Sequence, residues 1–200
     1  MRITTTRRRT SATLLAGAVL IALATTACGP TTGASVSTQP KKSAAAGAPS
    51  SAKPAGAAKA PTVAKVGDTI ALKGTDKGAS ADITVVKVVD NAQSSDDYNK
   101  PADGKRWIAV QLRIKNTGTA AYNDDPENGT TLLDDQSQSY NPTVADITAG
   151  QSFPTPLAIA PGDSALGFIT FEVPVATKLV KAQFALDSGF ADQSGQWQLS

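Results

Sequence analysis

The 200-residue sequence contains no histidine, one cysteine and one methionine, Met1. Without histidine the chain lacks the side chain that most often acts as a general base at neutral pH and most often ligates transition metals. A serine nucleophile therefore has no imidazole to take its proton. The "GDSAL" of Gly162 to Leu166 accordingly reads as a hairpin turn, Pro161-Gly162-Asp163, feeding a strand. A solitary thiol forms no intramolecular disulfide and no cysteine-cluster zinc site, and the initiator is the one thioether available to copper. A glycine-rich phosphate loop between a strand and a helix is also missing. "SSAK" at Ser50 to Lys53 matches a Ser-x-x-Lys pair by letters alone, in a stretch with no helical pattern to align the two side chains. The chain is read as a non-enzyme.

Charge is unevenly placed. Arg2, Arg7, Arg8 and Arg9 lie at the extreme N-terminus, and Lys41, Lys42, Lys53 and Lys59 lie in a proline- and alanine-rich stretch. From residue 64 onward eleven Lys and Arg face all seventeen Asp and Glu, a net of −6, although the whole chain carries +2. The clustered basic face that displaces phosphate counterions is absent from this part, so no nucleic-acid partner is expected.

What is present begins with a basic segment, "MRITTTRRRT", followed by an apolar run from Ala12 to Ala27 that ends at Cys28. That run is shorter than the ~20 residues a spanning helix needs and has small residues at its end, the pattern of a secretory signal peptide. "ATTAC" followed by Gly29 resembles the lipobox of bacterial lipoproteins, with Thr25 where the family usually has leucine. The resemblance implies a signal peptide over residues 1–27, cleavage between Ala27 and Cys28, and acyl chains on the Cys28 sulfur. It thus implies a lipid-anchored protein on the extracytoplasmic face of the cell membrane; two or three acyl chains hold stably where one holds marginally. Plain secretion, with Cys28 incidental, is the alternative, and the export route, general or twin-arginine, stays open.

Residues 28–63 are Ala, Pro, Ser, Gly, Thr and Lys with almost no large apolar side chain. Such a segment buries too little surface to offset its conformational entropy and is predicted to be a disordered spacer. A flexible chain of this length has an r.m.s. span of roughly 30 Å.

From residue 64 to 200 the apolar period becomes two. "IAVQLRIK" puts Ile108, Val110, Leu112 and Ile114 on one face, and "KLVKAQFALD", "DTIALK" and "GQWQLS" repeat the alternation. In "ADITVVKVVD" and "SALGFITFEVP" the apolar set changes face midway, so that either both faces are buried or a bulge resets the phase, with Gly167 a natural bulge site. "TTLLD", "QSYN" and "PLAIA" are shorter candidates, and Trp107 is placed in the core. Turn signals separate the strands, "NTG" at Asn116 to Gly118 among them. The expectation is all-β: an immunoglobulin-like (Ig-like) antiparallel β-sandwich of about 7–9 strands over residues 64–200.

The succession "VGDTIAL", "KRWIAVQLRIKNTG", "IAPGDSALGFITFEVP" resembles a family of secreted bacterial lipoprotein domains of unknown function. It is also similar to the immunoglobulin-like secreted antigens of mycobacteria, which suggests an actinobacterial origin by analogy. The resemblance implies an Ig-like fold without cystines and transfers no catalytic residue.

Two candidate sites follow from the loops. Asp124, Asp125 and Glu127 in "YNDDPENG", with Asp134 and Asp135 downstream, could converge on Ca²⁺, although Pro126 breaks the EF-hand spacing. Solvated loop charge is the plainer reading, and no other cofactor is expected. The loop of residues 91–105, with Asp96, Asp97, Tyr98 and Asp103, is the longest, and loops on rigid scaffolds carry recognition. The expected function is an envelope binding or accessory module with an unidentified protein or envelope partner. A Ca²⁺-dependent module and a carboxylate-based envelope hydrolase are the alternatives.

Overall fold

A computed structural model describes residues 34–41 and 63–199. The segment expected to be a signal peptide, with its expected cleavage after Ala27 and lipidation at Cys28, lies outside the described residues. Eleven strands follow in chain order: β1 (Ser35–Ser37), β2 (Thr69–Lys73), β3 (Ser80–Val89), β4 (Lys105–Asn116), β5 (Tyr122–Asp124), β6 (Thr130–Asp134), β7 (Ser139–Tyr140), β8 (Leu157–Ile159), β9 (Ser164–Pro174), β10 (Leu179–Ala185) and β11 (Gln193–Gln198). They form a five-stranded sheet, β1-β11-β10-β6-β7, a four-stranded sheet, β2-β3-β4-β9, and a small β5-β8 pair. The protein is an all-β sandwich. Among the described residues no helix is long and apolar enough to cross a membrane.

The core follows from alternation. Ile70, Leu72, Ile83, Val85, Leu112, Ile114, Ile169 and Phe171 of the four-stranded sheet meet Leu132, Ala182, Phe184 and Trp197 of the other in one buried cluster. Burying each large side chain of this kind contributes about 1.5–3 kcal/mol.

The two strands of mixed phase resolve differently. In β3 the register passes from Val85 opposite Leu112 to Lys87 opposite Gln111, leaving Val86 as the extra residue of a bulge. The bulge moves the inward set from Ala81, Ile83 and Val85 to Val88. β9, by contrast, pairs with β4 without interruption from Ser164 to Pro174, and both of its faces are covered. Ile169, Phe171 and Val173 face the main core. Phe168 joins Trp107, Ala109, Ala92, Ala145 and Ile147 in a second cluster. Residues 142–152 build that cover along the free edge of β9, where Thr143 and Phe168 amides donate to Thr170 and Gln151 carbonyls. Gly167 is therefore no bulge. A Cβ there would lie 2.7 Å from the Phe153 ring, so the missing side chain makes room for a neighbour. Trp107 is buried as expected, but in the second cluster instead of between the sheets.

Two strands exceed the predicted nine: β5, too short and polar to show a period, and β1, which lies in the segment predicted to be disordered. Residues 34–41 depart from that expectation because β11 offers an unpaired edge. Ser35, Val36 and Ser37 pair in parallel with Gln193, Ser194 and Gly195, so the strand pairing is not wholly antiparallel.

Candidate functional site

Residues 90–104 join β3 to β4, with Lys105 already in the strand. The base of this loop is stitched down by backbone bonds: the Ala92 amide donates to Trp107 (2.8 Å), Ser95 to Asp146 (3.0 Å), and Thr148 to Gln93 (2.9 Å). Its far end is held by Glu172 on β9, which takes the Lys105 ammonium at 2.8 Å and the Ala102 amide at 3.1 Å. The Lys105 ammonium first, then that amide, keep the Glu172 carboxyl below the usual carboxylate range.

Between these fixed ends the tip folds around Asp96. Its Oδ1 accepts the amides of Tyr98 (2.8 Å) and Asn99 (2.6 Å), while its own amide donates to Ser94 Oγ. This local ring of bonds is what aspartate offers a turn. It carries Tyr98 out of the surface at 99% exposure, an unusual position for an aromatic side chain. A cavity of about 390 Å³ lies beside the tip, lined by Asn91, Gln93, Ser94, Asp96, Asp97 and Lys100. Asp103 sits apart from it, exposed in the turn that enters β4. Of the four predicted contact residues, the fold brings Asp96, Asp97 and Tyr98 together and leaves Asp103 at the loop's end.

The acidic trio of residues 124–127 does not converge. Asp124 is turned inward, its Oδ1 accepting from Ser188 Oγ (2.6 Å) and the Asp125 amide (2.8 Å), its Oδ2 from the Ser188 amide (3.0 Å). Asp125 caps its own turn, accepting from the Glu127 amide (3.1 Å) and Asn128 Nδ2 (3.3 Å). Burial, then the Asp125 charge, pushes the Glu127 carboxyl up. Asp134 is likewise engaged, accepting from the amides of Gln136 and Gln138 and the Tyr140 hydroxyl. Among the described residues no group of three or more carboxylate, histidine or cysteine side chains is arranged to hold a metal ion. Asp124 and Asp125, two of the three expected Ca²⁺ ligands, are thus engaged with donors of their own surroundings.

What the sequence did not reveal is the partner of Asp124. Asp187 and Ser188 both take left-handed backbone, φ +57° and +53°, in a 3-10 turn at Asp187–Gly189. Non-glycine residues rarely occupy that region, and no sequence pattern marked it. Asp187 in turn accepts the Thr75 amide at 2.6 Å. Tyr122, Asp124, Asp187, Asp76 and Asn116 line a cavity of about 240 Å³. Burial first, then the charges of Asp124, Asp125 and Asp187, raises the Tyr122 hydroxyl far above its ordinary pKa.

A family profile described as "Domain of unknown function (DUF4352)" matches residues 73–194. Among solved structures, ycdA, a candidate lipoprotein of Bacillus subtilis, is 18% identical, with a TM-score of 0.49, over 64% of this chain. This chain spans only 38% of that protein's length. MPT63, a secreted protein of Mycobacterium tuberculosis, is 14% identical with a TM-score of 0.48, over 70% of this chain and 99% of its own. The yjhA protein of Bacillus subtilis is 16% identical with a TM-score of 0.47, over 69% of this chain and 100% of its own. No curated protein matches the chain.

Proposed function

The chain belongs to the DUF4352 family, and from that premise we propose that it is an envelope binding module, lipid-anchored at Cys28, which engages its partner through the tip of the 90–104 loop. The observation that carries the reading is the loop itself: both ends are bonded to the sandwich, and Tyr98 stands free between them. A contact residue held in place before binding loses less conformational freedom on association. Aromatic side chains are also the commonest anchors of interfaces. Asp96 and Asp97 immediately precede Tyr98 on a domain of net charge −6. The chemistry that fits is an apolar pocket ringed by positive charge on an envelope component. Anchoring rests on the lipobox-like stretch ending at Cys28, and display outside the cell follows from it.

The test is a photo-crosslinking phenylalanine derivative placed at Tyr98 on intact cells, with the same group at exposed Gln136 as control. A discrete adduct from position 98, absent from position 136 and competed by added unmodified protein, is the expected result. Identical patterns at the two positions, or no adduct at position 98, would overturn the loop as the contact surface.

A further inference from the structure

We propose that the free edge of β11 is a docking surface for the chain's own tether, and that this strap sets how far the domain stands from Cys28. The second half rests on the lipid anchor proposed above. Residues 34–41 are bound at three points. β1 lies parallel to β11, with the Ser35 amide donating to the Asp192 carbonyl. The Thr38 carbonyl accepts the amide of Ala64, whose own carbonyl accepts Gln198. Finally, the Lys41 amide donates to Thr69 on β2, and its ammonium pairs with Asp82 Oδ2 on β3. The strap therefore runs from one sheet to the other, and Lys41 acts as its latch. The Asp82 side chain is only 14% exposed. Its Oδ1 has no hydrogen-bond partner among the described residues, and among them Lys41 is the cation within ion-pair distance of the carboxylate.

The hold is weak by construction. Val36 is the one large apolar side chain between Gly29 and Pro40, and it is 55% exposed. Three strand residues held by backbone bonds at a sheet edge belong to the low end of local stability. Docked, the first described residue bonded to the fold is Ser35, seven residues from Cys28, and an extended chain of that length reaches at most about 25 Å. Released, the next described residue bonded to the sandwich is Ala64, thirty-six residues from Cys28, with a limit of about 120 Å. The same chain thus serves as a short leash or a long one, according to whether the β11 edge is occupied.

Hydrogen exchange on the full mature lipoprotein tests the docking. The Ser35 and Lys41 amides should exchange at least ten-fold more slowly than unstructured peptide. Ser37→Pro with Lys41→Glu should bring both to the unstructured rate, since Ser35 and Ser37 are the alternate residues of the parallel pair that face β11, so that proline removes a ladder donor there and glutamate faces Asp82 with like charge. Unprotected amides in the wild-type chain would overturn the strap. For the spacing, a donor dye on Gln136→Cys and acceptor lipids in phosphatidylglycerol vesicles report the domain's distance from the bilayer. Energy transfer should fall at least two-fold in the double variant; an unchanged value would overturn the leash. If the wild-type protein fails to bind vesicles, the anchor and the leash both fall, while the exchange data still decide whether the strap docks.

Discussion

Replacing Asn116 by leucine should lower the free energy of unfolding by about 3 kcal/mol or more, read as an earlier urea midpoint. Asn116 is 1% exposed at the end of β4, and its amide is fully used. Nδ2 donates to the carbonyls of Ala120 and Ile159, both at 2.9 Å, and Oδ1 accepts the Gly118 amide at 2.9 Å. One side chain therefore ties together the β4 end, the turn after it and β8. Leucine has similar volume but leaves two carbonyls and one amide without partners, at about 1–3 kcal/mol each. Asn116→Asp provides the control. Its carboxylate can still accept from Gly118 but would face two carbonyl oxygens with nothing to donate. Burial would raise its pKa, so any stability it contributes is present at low pH and lost as pH rises through that value. The deficit against wild type at equal pH should therefore shrink between pH 7 and pH 4. A leucine variant as stable as wild type would remove Asn116 from its structural role.

The second large effect is expected at Trp197. Its indole is fully buried between the sheets, and Nε1 donates to the Asp68 carbonyl at 3.0 Å. Space for the ring depends on Gly195, where a Cβ would lie 2.7 Å from indole Cη2. Trp197→Ala removes this packing and leaves a cavity, which in comparable cores costs about 3–5 kcal/mol. Total stabilities of single domains are about 5–15 kcal/mol, so the variant should be close to unfolding at physiological temperature. Trp197→Phe keeps most of the apolar contact and loses the hydrogen bond, with an expected cost of about 1–2 kcal/mol. Equal losses in the two variants would mean that the hydrogen bond to Asp68, and not ring volume, dominates.

Both residues show what the sequence could convey and what it could not. The alternation that identified β4 also identified the inward face on which Trp197, Leu112 and Ile83 meet, because burial on one face of a strand imposes a period of two. The phase change in "ADITVVKVVD" pointed correctly to a bulge, since one extra residue is the simplest way to exchange faces. The same pattern in "SALGFITFEVP" came instead from a second cover, residues 142–152, which contain no regular strand and so show no period by which to recognise them. Asn116 was visible only as a turn signal. One of its three hydrogen bonds reaches Ile159, 43 residues away, and long-range polar partners leave no local pattern. For the candidate site, loop length and the aspartates around Tyr98 were legible, because aspartate marks turns. The fate of Asp124 was not, because its partner Ser188 lies 64 residues away on left-handed backbone. The strap was hidden for a further reason: its composition resembles a spacer, and its strand exists through the open edge it meets.

The claim on which the rest depends is that Cys28 joins this sandwich to a membrane. The direct measurement is metabolic labelling with a radioactive fatty acid, followed by fractionation, of cells producing the wild-type chain or Cys28→Ala. Label on the wild-type protein in the membrane fraction, with the variant unlabelled and no longer processed to a membrane-held mature form, is the predicted result. An unlabelled wild-type protein, or a Cys28→Ala variant that is processed and retained in the membrane like the wild type, would contradict it.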